Sequence, residues 1–118
     1  MRPHEKLEAW SSAVEFVVDV YKTTEAFRKE EKFGLTSQIR RAAVSVPANI
    51  AEGAARQSEK EFVHFLSNTQ GSVSELETEL LIAYRLGYLD ESKFLDSRLA
   101  LEKIGRLITV FPNISNAK

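Results

Sequence analysis

Apolar residues recur along this chain in steps of three and four, and the predicted elements follow from that step. From about Lys6 to Phe27, Leu7, Trp10, Val14, Val17 and Tyr21 mark one apolar face. A second stripe, Ala9, Ala13, Phe16, Val20 and Phe27, lies beside it. Together they form an arc wider than one core contact requires. Two readings follow: a central helix touching several neighbours, or a helix of which one stripe meets another subunit.

The charged segment RKEEKFG then makes a loop. A second helix is predicted from Leu35 to Ala54, with Thr36 or Ser37 as its cap. Its apolar stripe is Leu35, Ile39, Ala42, Val46, Ile50 and Gly53, with Pro47 inside it. Proline removes one amide donor and crowds the carbonyl four residues back, on Ala43, so a kink is predicted. The alternative is a break that leaves Pro47 in the first turn of a new helix. The stripe keeps its phase across Pro47, which favours the kink.

Ser58 to Glu61 reads as a capping box and opens the longest helix, predicted from Glu59 to Leu86. Phe62, Phe65, Leu66, Thr69, Val73, Leu76, Leu80 and Ala83 keep the helical step, and Gly87 supplies a stop. Asp90 caps a fourth helix from Glu91 to Val110, with Phe94, Leu101, Ile104, Ile108 and Phe111 inward. Pro112 and Asn113 are expected to end it, leaving a polar tail over 112–118.

The prediction is therefore an all-α, antiparallel up-down four-helix bundle, with residues 1–118 as a single domain. Hydrophobic residues at 43% and charged residues at 28% allow such a chain to bury a core without staples. With no cysteine, disulfides, thiolate metal sites and cysteine nucleophiles are excluded together. A formal net charge of −1 gives no global pull towards nucleic acid or membrane, so any such attraction must be local. The opening MRPHEKLEAW lacks an apolar stretch, and no uncharged run reaches spanning length. A cytoplasmic protein without membrane contact is expected.

Chemistry is thinly represented. Glu61-Phe-Val-His64 matches half of a di-iron bundle motif, which needs a second copy and two further inward glutamates. His64 also lies about 200° around the helix from Phe62, away from the core stripe. No metal and no cofactor is expected. His4 and His64 are the only histidines, and neither a nucleophile elbow nor a phosphate-cradling glycine loop accompanies them. Glu75, Glu77 and Glu79 read as a solvated face. No catalytic residue and no small-molecule substrate emerges, and the protein is read as not an enzyme.

The second helix is the most informative segment. Opposite its apolar stripe runs a row at the same period: Gln38, Arg41, Ser45, Asn49, Glu52 and Arg56. Amides, a hydroxyl and guanidinium groups can hydrogen-bond in fixed geometry, unlike a lysine- and glutamate-rich solvent face. The row suits a subunit contact, a pore lining, a phosphate site or plain solvent. Arg41, Asn49 and Glu52 are expected at or near a subunit contact. Within 36–60, Arg40, Arg41, Arg56 and Lys60 stand against Glu52 and Glu59, and the free amides opening the third helix lie beside them. Those four cations are the candidate contact for RNA or DNA.

The run GLTSQIRRAAVSVPANIAEGAAR, from Gly34 to Arg56, resembles the signature of the bacterial four-helix-bundle family of the 23S ribosomal-RNA intervening-sequence protein type. The likeness extends to LEAW in the first helix, to SEKEFVHFL from Ser58, to GSVSELE from Gly71 and to Leu86-Gly-Tyr-Leu89. The resemblance implies a bundle that assembles as a homopentamer, often encoded within inserts in 23S rRNA genes. The accessory protein of diversity-generating retroelements is similar in architecture, and there the bundle binds nucleic acid and a reverse transcriptase. The expectation is thus a non-catalytic oligomeric bundle acting as a structural or interaction module; the alternative is an accessory protein that binds RNA or DNA.

Overall fold

The computed structural model describes the backbone of residues 2–116 and the side chains of residues 2–109. Four α-helices account for most of the chain: α1 (Glu8–Thr24), α2 (Leu35–Ala54), α3 (Glu59–Arg85) and α4 (Glu91–Asn116). Short 3-10 turns occupy Pro3–Lys6 and Lys29–Glu31, and no strand is present among the described residues. The molecule measures 47 × 23 × 23 Å. Helix α1 packs against α2 and α4, and α3 packs against α2 and α4. Each helix thus has two neighbours around one core.

That core is the apolar step of the sequence made physical. Ala9, Ala13, Phe16, Val20 and Phe27 of the second stripe are all buried, as are Ile39, Ala42, Val46 and Ile50 of α2. From α3 and α4 come Leu66, Val73, Leu76, Leu80, Leu101, Ile104 and Ile108. The other α1 stripe is only partly covered: Leu7, Trp10 and Val17 are half-buried against the core, and Val14 and Tyr21 are exposed.

Most helix ends obey local chemistry. The Ser58 hydroxyl accepts from the Glu61 amide at 3.1 Å, and the Asp90 carboxylate accepts from the Lys93 amide at 2.8 Å. At Gly87 the backbone turns to a φ of +83°. Its amide donates to the Tyr84 carbonyl and the Tyr88 amide donates to that of Ala83, the paired bonds that close a helix at a left-handed residue.

Three expectations about helix ends need correction. First, α1 is shorter than Lys6–Phe27, because Pro3 starts a separate 3-10 turn and Leu7, in extended backbone, joins it to the helix. Second, neither Thr36 nor Ser37 caps α2. Gly34 holds the N-cap position without a side chain, and Glu31 Oε1 from the preceding loop accepts the Leu35 amide instead, at 3.2 Å. Third, α4 runs through Pro112 to Asn116. A proline's fixed φ is itself helical, so it costs a helix one amide bond and some crowding without forcing an end. The inward placement expected of Phe111 lies outside the residues whose side chains are described, as do residues 117–118 of the expected tail.

Helix α2 passes through Pro47 unbroken, and Pro47 is buried. The break into two helices is therefore not what happens. Gly53 explains how closely α2 and α3 approach: a Cβ there would fall 2.7 Å from Phe65 Cβ and 3.0 Å from Phe62 Cδ1.

Candidate functional site

The polar row of α2 follows its seam with α3. At its centre the Ser45 hydroxyl lies 2.7 Å from the Ser72 hydroxyl, and also 2.7 Å from the Ala42 carbonyl to which it donates. One turn on, half-buried Asn49 donates from Nδ2 to the Ser45 carbonyl at 2.8 Å. Further on, Arg56 pairs with Glu52 at 3.1 Å and stands over the Phe65 ring of α3 at 5.1 Å. Gln38 and Arg41 are exposed at the other end. The row is partly internal, therefore: Ser45 and Arg56 each divide their contacts between α2 and α3.

The four cations proposed for nucleic acid divide in two. Arg40 is engaged at the C-terminal end of α1, where Nε donates to Thr24 Oγ1 at 2.8 Å and a terminal nitrogen donates to the Tyr21 carbonyl at 3.2 Å. That is the last-turn position where a cation satisfies free carbonyls and the helix dipole together. Arg56 is held by Glu52. Arg41 and Lys60 are exposed and make no ion pair among the described residues.

Helix α3 departs from the sequence reading at Glu79. Glu75 and Glu77 are exposed, but Glu79 is only 6% exposed, and its Oε1 has no hydrogen-bond partner. Burial, then a hydrogen bond with Glu75, then the Glu75 charge push the Glu79 carboxyl up to about 7. The expectation of a solvated face fails for this residue. The helical count carried the warning, because Glu79 is three residues after Leu76 and four before Ala83, both buried. His64 is exposed, at the edge of the Phe65 ring. Among the described residues, no group of three or more histidine, cysteine, aspartate or glutamate side chains could hold a metal ion.

The outer side of α1 and α2 departs from an ordinary solvent face. Val14, Val18 and Tyr21 of α1 are 36%, 48% and 41% exposed, and Val44 of α2 is 43% exposed. Arg40 over Tyr21, 4.5 Å from the ring centre, fixes how the two helices align. One turn on from Arg40 is Val44, and one turn back from Tyr21 are Val17 and Val18. By the helical step these residues lie on the outer face to either side of the seam, with half-buried Trp10 and exposed Ala48 on the same side, and make one apolar strip. The stripes read from sequence held Val14 and Tyr21 but missed Val18 and Val44. Val18 stands four residues after Val14, so its signal was present.

No helix among the described residues is long and apolar enough to cross a membrane. No curated protein matches the chain. Among solved structures it is similar to a Bacteroides thetaiotaomicron protein of unknown function from the S23 ribosomal protein family. The TM-score is 0.81 at 22% identity, over 89% of this chain and 95% of that one, a likeness of fold alone. The sequence model of the 23S rRNA-intervening sequence protein family matches residues 5–110, and the four helices fill that span. The chain belongs to the 23S rRNA-intervening sequence protein family.

Proposed function

We propose that this chain is a non-catalytic, self-associating module, an up-down antiparallel bundle bent at Pro47 that works in the cytoplasm as a homopentamer. The observation that carries this reading is the strip of Val14, Val18, Tyr21 and Val44 on the outer face of α1 and α2. A monomer would leave these side chains in water. A contact that buries them gains roughly 25 cal/mol for each Å² removed from solvent. The breadth of the apolar arc on α1 has the same explanation: one stripe grips the chain's own core and the other a neighbouring copy. Arg41, Asn49 and Glu52, on the polar row of α2, are likewise assigned to or near a subunit contact. Gel filtration with light scattering at micromolar concentration tests the reading. Assembly should appear as a mass several times 13.3 kDa, and a clean 13.3 kDa species rejects it.

A second reading, binding of RNA or DNA, is favoured by one observation: Arg41 and Lys60 are exposed cations that make no ion pair among the described residues. It is the weaker of the two, since Arg40 and Arg56 are already engaged. A gel-shift titration with structured RNA at two salt concentrations discriminates. Binding that weakens as salt rises supports it, and no shift at low salt rejects it.

A further inference from the structure

The most exposed large apolar side chain among the described residues is Phe33, in the connection between α1 and α2, at 88%. It has no apolar cover of its own; the Lys32 ammonium stands 5.4 Å from its ring centre. On the far side of the bundle, between α3 and α4, lies a cavity of about 250 Å³. Leu80, Leu81, Phe94 and Leu101 supply its apolar lining, with Glu77 and Arg98 beside them. The pocket opens to the surface, and its volume exceeds the roughly 150 Å³ that can hold a benzene ring.

We propose that Phe33 is a knob that fills this α3–α4 cavity in a neighbouring copy of the chain. The inference rests on the self-association reading and specifies its contact. Three observations support the second copy as occupant. The first is position. The α1–α2 and α3–α4 connections share one end of the bundle, because Tyr88 donates to Glu31 at 2.9 Å and its ring lies 5.4 Å from that of Phe27. The cavity begins near that end, next to the stack of Tyr84 on Phe94 at 4.5 Å. Knob and socket therefore belong to the same end of the bundle on opposite sides, the socket about one to two helical turns further in. That is the arrangement in which bundles standing side by side meet through two different surfaces and close into a ring.

The second observation is charge. In the connection, Arg28 is paired with Glu30, and Glu31 is taken by the Leu35 amide and Tyr88, which leaves Lys29 and Lys32 without a carboxylate among the described residues. At the cavity, Arg98 is paired with Glu102, which leaves Glu77 without a cation among the described residues. Two free cations beside the knob face one free carboxylate beside the socket. The third observation is continuity. Phe33 precedes α2, whose outer face carries the apolar strip, and Leu95 and Leu99 expose apolar surface on α4. The same pair of sides is apolar beyond the knob and the socket.

The test compares three proteins by light scattering, with circular dichroism as the check on folding. Wild type should assemble, and Phe33→Ser, altering a side chain outside the core, should stay helical and fall to 13.3 kDa. The natural chain has no cysteine, so a Lys32→Cys, Thr78→Cys double variant, which keeps Phe33 and places a thiol in the cavity wall, gives a second arm. Mild oxidation should link copies into a ladder, since a disulfide requires Cα atoms within about 7 Å. A helical Phe33→Ser protein with wild-type mass, or an assembled double variant that does not cross-link, overturns the knob and leaves self-association standing. A monomeric wild type overturns both.

Discussion

The Arg40 guanidinium stands 4.5 Å from the centre of the Tyr21 ring, and through Thr24 and the Tyr21 carbonyl it holds the end of α1 against α2. A cation, an aromatic face and two oxygens meet there around one planar group, and lysine cannot reproduce that fork. Arg40→Ala is expected to cost about 1–3 kcal/mol of stability, with Arg40→Lys recovering less than half. Urea denaturation checks this. A midpoint unchanged in both variants would mean that the contact contributes nothing.

Gly53 lies where α2 and α3 come closest. Alanine is ordinarily the better helix former by about 1 kcal/mol, so an open site would gain from the change. Here the added methyl would meet Phe65 Cβ at 2.7 Å, an atom fixed to the α3 backbone, and the helices must part. Gly53→Ala is expected to destabilise by about 1–2 kcal/mol net, the overpacking cost exceeding the propensity gain. Thermal melting of wild type and variant gives the sign directly.

Glu79 makes the bundle sensitive to pH. Its carboxyl, raised to about 7 from an ordinary 4.5, is favoured in the protonated form by the fold. The stability associated with that proton is fully present below pH 4.5 and is lost as pH rises through 7. Above that, the ionised group is buried with an unpartnered oxygen. Glu79→Gln removes the titration. It should match wild type near pH 4.5 and exceed it by about 1–3 kcal/mol at pH 8. Urea midpoints measured from pH 4.5 to 8.5 test this, and parallel curves for the two proteins would contradict it.

Much of this architecture was legible in the chain. Helix α2 has the bounds its stripe indicated, and Gly87 and Asp90 act as stop and cap, because periodicity and end chemistry are local properties. Two things were not local. The sector of Ser45 and Arg56 was identifiable as polar, but whether it met water or α3 depends on how α3 lies against α2. The cap of α2 was misjudged for the same reason, since Glu31 reaches it by the folding of the preceding loop. Glu79 was legible and overruled: its position beside Leu76 and Leu80 said buried, while its charge said solvated. Val18 and Val44 tell of a surface rather than a core, and a count of core stripes passes over them.

The apolar strip itself admits a charge-insertion test. Val18 is half exposed and belongs to no part of the buried core, so Val18→Asp should leave the monomer's stability within about 0.5 kcal/mol. In a contact between copies the same carboxylate would be buried without a partner, which costs several kcal/mol. Helicity should therefore survive while association fails, and circular dichroism beside analytical ultracentrifugation reads both.

We expect the outer face of α1 and α2 to be covered by another copy of the chain. Native mass spectrometry of wild type beside a Val14→Asp, Val18→Asp variant measures this most directly. The account predicts a single wild-type species at five times 13.3 kDa and a variant at 13.3 kDa. A wild-type spectrum containing only the 13.3 kDa chain would contradict it.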